Sequence, residues 1–200
     1  MTSNDNLLLL ASFGLYVMLA LVWPTVRLWR QTGAIAYVLP ASDDAYGFVS
    51  TCMKVLIGVL FAYLIVQLAW PALPRHLGPL AALQSPGWRA AGWTALALAL
   101  AWTLAAQAQM GASWRIGIDT SMPTPLVRRG LFTISRNPIF LGMRVALAAP
   151  VCIQPNALTL ALFLSGDLVI QFQVRLEEAF LAQQHGQAYA QYCLAVRRWL

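Results

Sequence analysis

The sequence predicts an all-α integral membrane protein of about five transmembrane helices. The last two are expected to fold as a helical hairpin, followed by a C-terminal amphipathic helix. Three observations carry that expectation. Of 200 residues, 60% are hydrophobic and only 10% charged, a balance outside that of ordinary soluble domains. Residues 7–26, 55–73 and 90–114 hold no charged side chain, and about 20 apolar residues of helix cross a bilayer. The basic residues also collect in alternate connecting segments, as membrane topology requires.

Taken in order, residues 7–30 read as the first span, with Trp23, Trp29, Arg27 and Arg30 as interfacial anchors at one end. Met1 to Asn6 carry no Lys or Arg, so the charged start of a cleaved signal peptide is missing and the span is expected to be retained. Residues 31–50 form a more polar connection, in which Asp43 and Asp44 suit the N-cap of the next helix. The second span is expected over residues 51–73. Pro74, Pro79 and Pro86 break the following linker. The third span, residues 90–109, is rich in Ala and Leu, and small residues allow close helix approach in lipid.

Residues 109–137 are the longest polar stretch, with Arg115, Arg128, Arg129 and Arg136 set against Asp119 alone, and Pro123 and Pro125 holding part of it extended. Residues 139–173 are too long for one span. Pro150 and Pro155 divide them into helices over 139–149 and 156–172, each short of a full crossing, the second running on through Glu177 and Glu178 into water. In the tail from residue 179 to 200, Tyr189, Tyr192, Cys193 and Val196 fall on one helical face, and Arg197, Arg198 and Trp199 have the makings of an interfacial anchor. Residues 1–106 thus form an N-terminal unit of three spans and residues 107–200 a C-terminal unit.

With the N-terminus outside, Arg27, Arg30, Arg115, Arg128, Arg129, Arg136, Arg197 and Arg198 share the cytoplasmic side, and Arg75 and Arg89 lie opposite. The net charge of +6 therefore reports topology rather than nucleic-acid binding. Several chemistries are excluded by composition. Cys52, Cys152 and Cys193 are odd in number, far apart and set in apolar surroundings, which suits buried small hydrophobes rather than disulfides or a metal knuckle. His76 and His185 fall on opposite sides of the membrane, against a His-based metal site. No Walker sequence, dinucleotide fingerprint or nucleophile elbow is present.

What remains is a carboxylate pair, Glu177 and Glu178, opposite a basic, aromatic and Gly-containing stretch from Arg128 to Gly142. Adjacent residues on a helix point about 100° apart, so the two carboxylates take different parts: one accepts hydrogen bonds from a ligand and the other orients an arginine. A carboxylate at a membrane edge is costly without a partner. An interhelical salt bridge from Glu177 or Glu178 to Arg136 or Arg175 is the plain structural alternative.

The first block reads Leu126-Val127-x-x-Gly130-x-Phe132-x-x-x-Arg136-Asn137-Pro138-x-Phe140-x-Gly142. The second reads Glu177-Glu178-x-x-Leu181-x-x-x-x-Gly186-x-x-Tyr189-x-x-Tyr192-x-x-x-Val196-x-Arg198-Trp199. Together they resemble the signature of the isoprenylcysteine carboxyl methyltransferase and phospholipid N-methyltransferase superfamily. The segment from Gln109 through Gly111, Trp114 and Arg115 to Asp119 is similar to its bacterial branch. The likeness covers roughly residues 107–200; the first two spans match nothing diagnostic.

The resemblance implies a multi-spanning enzyme whose C-terminal half cradles S-adenosyl-L-methionine at the cytoplasmic face. It implies cofactor contacts from Thr124, Pro125, Leu126, Val127, Phe132, Asn137, Pro138, Ile139, Phe140, Gly142 and Glu177. Arg136 and Glu178 fall at its catalytic positions, and Arg175 is the nearest candidate for binding substrate. The acceptor it implies is a lipidic or small amphiphilic molecule bearing a carboxylate or amine, in a bacterial inner membrane and without a metal. The chain departs from the signature where Asn137 replaces His and where Phe132 and Phe140 replace Tyr. Rings remain for stacking, but hydroxyls are lost. The competing expectations are an NADPH-dependent membrane reductase of the sterol-reductase type, whose C-terminal half is related, and a non-enzymatic membrane accessory protein.

Overall fold

The computed structural model describes residues 3–33, 37–38, 44–114, 116–117 and 125–200. Asp43, Arg115, Asp119, Pro123 and Thr124 lie outside the described residues. The architecture is helical, with four helices long and apolar enough to cross a membrane: Asp5–Arg30, Ala45–Ala69, Pro86–Met110 and Ala157–His185. A fifth apolar helix, Pro138–Ile153, has 16 residues, about 24 Å at 1.5 Å per residue and so shorter than a roughly 30 Å hydrocarbon core.

The first of these long helices is built from α1 (Ser3–Val17), a π-helical turn (Met18–Val22) and α2 (Trp23–Thr32). Its sequence explains the turn. Pro24 has no N–H to give to the carbonyl four residues earlier, and that carbonyl, Ala20 O, accepts Gln107 Nε2 instead at 2.5 Å. The bulge thus turns a broken helical bond into a link with another helix, a recurrent use of such wide turns.

α3 (Ala45–Ala69) opens on Asp44, whose carboxylate accepts the Gly47 N–H at 2.8 Å, as expected of an N-cap. It begins before, and ends before, the span expected from hydropathy. α4 (Leu73–His76) and a 3-10 turn (Ala81–Leu83) are the short pieces allowed by the three prolines of the linker. α5 (Pro86–Met110) starts on a Ser85 cap, with Pro86 in its first turn.

The hairpin differs from expectation. α6 (Pro138–Ile153) passes through Pro150. The chain turns only at Gln154 and Pro155, where Asn156 and Thr159 close a capping box that starts α7 (Ala157–His185). α7 runs on through Glu177 and Glu178 as expected, and with that extension its 29 residues reach about 43 Å, more than the roughly 30 Å of a hydrocarbon core. The C-terminal helix is also shorter than expected. α8 (Gln187–Ala195) follows Gly186, and Val196 is extended. Among the described residues, strand pairing is limited to the parallel ladder of β1 (Tyr37–Val38) with β2 (Ile116–Gly117) and an isolated bridge between Pro79 and Asn156.

α5 and α6 meet along a seam of small residues. A Cβ on Gly142 would lie 2.2 Å from Thr103 Oγ1 and 3.2 Å from Ala99 O; one on Gly92 would lie 2.7 Å from Ile153 and 3.0 Å from Ala149 O. Ala99, Ala146 and Ala149 are buried between these glycines. Close backbone approach gains dispersion contacts that lipid does not offer in the same form. This seam fixes Pro138, and hence the residues before it, at the end of α5; Trp102 Nε1 donates to Pro138 O at 2.8 Å.

At the opposite end, buried polar side chains join α1, α3 and the α6–α7 turn. Tyr63 donates to Gln154 Oε1 at 2.9 Å, Gln154 Nε2 to Asn6 Oδ1 at 3.0 Å, and Asn156 Nδ2 to the Tyr63 hydroxyl at 2.9 Å. Groups buried in this way need partners, and these supply one another.

Candidate functional site

The site lies where the segment before α6, the far end of α7 and the last residues of the chain converge. Its first support is Gln109, at the end of α5. Its Oε1 accepts the Leu131 N–H at 2.7 Å, and its backbone carbonyl accepts Arg129 at 3.1 and 3.3 Å. Gly130 makes this docking feasible. Its φ is +59°, and a Cβ there would stand 2.4 Å from the Gln109 side chain, so both conformation and space call for glycine.

From this anchor the chain makes a 3-10 turn, Gly130–Thr133. Phe132 is buried, and its carbonyl accepts the Tyr192 hydroxyl of α8 at 2.6 Å. Tyr189 and Tyr192 meet edge-on, with centroids 6.1 Å apart. Burial pushes the Tyr192 phenol up to about 12 and raises Tyr189 as well, so both rings pack in the neutral form.

The next residues reach Glu178. Arg136 Nε donates to Glu178 Oε1 at 3.2 Å and Arg136 Nη2 to Oε2 at 3.3 Å. Asn137 Nδ2 donates to Oε1 at 2.9 Å. Arg198 donates to Oε2 from Nε at 3.0 Å and from Nη2 at 2.8 Å. Glu178 is only 9% exposed, and two guanidinium groups with one amide meet the cost of placing its charge there. Burial alone would lower the Arg136 pKa, but the Glu178 carboxylate outweighs it and holds the group above its ordinary value.

The C-terminal segment completes this arrangement through its backbone. Arg136 Nη1 donates to Val196 O at 2.8 Å, and the Arg136 N–H donates to Arg197 O at 2.9 Å. Arg198 O accepts the Ser135 hydroxyl and Asn137 Nδ2, each at 3.3 Å. The amide of Asn137 thus donates to a carboxylate and a carbonyl together. A neutral imidazole, with a single N–H, would not reproduce that fork, so the amide has a structural use here.

The expected site residues divide by what they touch. Arg136, Asn137 and Glu178 are in direct contact, and both Glu178 oxygens are engaged. Glu177 is half-buried and makes no hydrogen bond among the described residues; the Tyr46 hydroxyl donates to Leu176 O beside it at 3.3 Å. Pro138 is buried, while Ile139 packs with Met110 against Leu28 and Trp114. Phe140 is half-buried, and Gly142 sits in the α5–α6 seam. Pro125 is exposed, with Leu126 and Val127 half-buried. Arg175 is exposed and bonds Gln171 of its own helix at 2.9 and 3.1 Å, turned to solvent rather than to Glu178. Thr124 lies outside the described residues.

Two charged residues escaped the sequence reading. Arg144 on α6 and Asp167 on α7 form an ion pair within the hairpin, and the Trp199 ring lies 4.4 Å from the Arg144 guanidinium carbon. The signal was available: each is a lone charge inside an apolar helix, which lipid tolerates only when it is paired. Arg198, read from the sequence as part of the second block and as an anchor, also belongs to the cluster.

Compared with protein-family models, curated proteins and solved structures, the chain finds no match in any of the three.

Proposed function

We propose that the chain is an S-adenosyl-L-methionine-dependent methyltransferase embedded in a membrane, acting on a lipidic or small amphiphilic acceptor. The observation that carries this reading is the contact of Arg136 and Asn137 with Glu178, because it joins the two separated blocks on which the family resemblance rests. In this reading α6 completes a five-helix crossing, and the cluster faces the cytoplasm of a bacterial inner membrane. The many arginines at that end support the orientation.

The bound cofactor would supply an electrophilic methyl on a sulfonium; transfer to an acceptor oxygen or nitrogen forms one bond as the carbon–sulfur bond breaks. The chain's own part is positioning and exclusion of water. Glu178, with both oxygens engaged, holds Arg136, Asn137 and Arg198 in register. Glu177 is the carboxylate left to accept hydrogen bonds from a ribose diol. The rings of Phe132 and Phe140 offer apolar surface to an adenine. With both Glu178 oxygens occupied, Glu178 is not free to act as a base, and Glu177 is the carboxylate left to take a proton from an acceptor that needs one.

Titration of the purified protein with S-adenosylhomocysteine tests the reading. Saturable binding is expected, weakened at least about tenfold (roughly 1.4 kcal/mol) in Glu177→Ala with an unchanged unfolding temperature. Saturable NADPH binding without S-adenosylhomocysteine binding would instead establish a reductase.

A further inference from the structure

At the end of the molecule away from this cluster, the linker between α3 and α5 walls a cavity of about 730 Å³. That volume lies within the range of small-molecule sites. Its lining includes Arg75, Arg89, Gln84, Trp93, Cys152 and Pro155. The walls are held in place by backbone bonds. Leu80 N–H donates to Pro155 O at 3.0 Å, and Ala157 N–H donates to Leu77 O and Gly78 O, both at 2.9 Å. Gly78 adopts a φ of +67°, with Ala157 packed 3.2 Å from where its Cβ would stand. The linker is therefore pinned to the α6–α7 turn, and the cavity is preformed.

The charge in it is unusual for its place. Arg75 and Arg89 are the only basic residues between Lys54 and Arg115 apart from His76, and both line this one cavity. In the membrane orientation proposed above, they occupy a connection where basic residues are normally depleted. Arg89 is committed to an ion pair with Asp5. The Arg75 backbone N–H donates to Ala72 O, but its side chain has no hydrogen bond or ion pair among the described residues, so one guanidinium is left to meet an anion. Trp70 and Trp88, both exposed, flank the cavity in sequence on either side, as aromatic residues do at a membrane–water interface.

We propose that this cavity binds the phosphate of an anionic phospholipid headgroup, with Arg75 as its principal donor. A guanidinium matches the oxygens of a phosphate through paired N–H donors. Trp93 and the prolines offer an apolar wall to the glycerol and the first carbons of the chains. The site rests on the membrane reading alone and requires nothing of the methyltransferase reading.

Cys152 lines the cavity and reports its occupancy. In a Cys52→Ser, Cys193→Ser background, maleimide labelling of Cys152 is followed in detergent with short-chain phosphatidylglycerol, short-chain phosphatidylcholine or inorganic phosphate. Phosphatidylglycerol is expected to slow labelling several-fold and phosphatidylcholine much less. Arg75→Gln is expected to abolish that protection without altering the rate in the absence of lipid. Protection by inorganic phosphate that also depends on Arg75 retains the oxyanion site and assigns it to a free ion. Equal protection by both lipids, no protection by any probe, or full protection in Arg75→Gln overturns the proposal. Binding of S-adenosylhomocysteine, measured on the same samples, reports separately on the other end of the molecule.

Discussion

Arg198 gives both its Nε and Nη2 protons to one oxygen of Glu178, at 3.0 and 2.8 Å, while Asn137 holds the other and Arg136 spans the two. A residue two places from the C-terminus thus closes the same carboxylate that the segment before α6 approaches from the other side. The tail is part of the site's frame.

Glu178→Ala should therefore be a stability variant first. It leaves two guanidinium groups facing each other in a largely buried space, and loss of one partner from such a cluster costs about 3–5 kcal/mol. The expected result is a lower unfolding temperature together with lost S-adenosylhomocysteine binding, measured by thermal unfolding and calorimetry in detergent. Glu177→Ala should separate these effects, reducing affinity at unchanged stability.

Arg198→Ala should free the tail more selectively. Glu178 keeps Arg136 and Asn137, but the Arg198 backbone carbonyl loses the side-chain tether that holds it near Ser135. Hydrogen exchange is expected to rise over residues 196–200 while α5 and α6 stay protected. Unchanged exchange there would show that the backbone bonds alone hold the tail.

The Arg144–Asp167 pair should behave as a coupled unit. Arg144→Leu or Asp167→Leu alone strands the remaining charge within the hairpin, and each should destabilise by about 3–5 kcal/mol. The double variant should recover much of that loss, because apolar replacements of similar volume need no partner. A double-mutant cycle on denaturant unfolding reads the coupling; additive losses would remove the pair from the account.

Gly142→Val should separate α5 from α6. The first added carbon already meets Thr103 Oγ1 at 2.2 Å, and overpacking of this kind costs about 1–3 kcal/mol. A lower unfolding temperature is expected, accompanied by a looser site, since the seam positions Pro138.

Alkaline pH should release α8. Tyr192 has a folded pKa raised by burial to about 12 from 10.0, so its neutral form is the one that fits. The associated stability is fully present below pH 10 and is lost as pH rises toward 12. Tyr192→Phe should lose the bond to Phe132 O, about 1 kcal/mol, and show less dependence across that window by thermal unfolding.

The sequence was informative wherever the signal was local. The uncharged runs located three of the four long helices, because about 20 apolar residues have few stable arrangements other than a crossing; the fourth, Ala157–His185, carries Asp167 and has no such run to mark its full length. Asp44 was recognisable as a cap, and the prolines of residues 74–89 as a broken linker. The ends were less legible. Pro150 was read as a break, but a helix packed in a seam tolerates a proline when neighbours compensate for the lost bond. Val196 fell on the right helical spacing yet lies outside α8, because its carbonyl is used by Arg136.

By itself, then, the sequence determined the helical class, the long apolar helices, the concentration of arginines in a few segments and the two blocks that form the candidate site. Only the tertiary structure decided how charge is matched. It showed which glutamate is paired and which has no partner among the described residues, that Arg175 faces away, that Arg198 belongs to the cluster, and that Arg144 meets Asp167. Helical periodicity ranks faces within one helix, but the cost of a buried charge depends on every element packed around it. That balance is settled between residues such as Asn137, Glu178 and Arg198, which only the folded chain brings together.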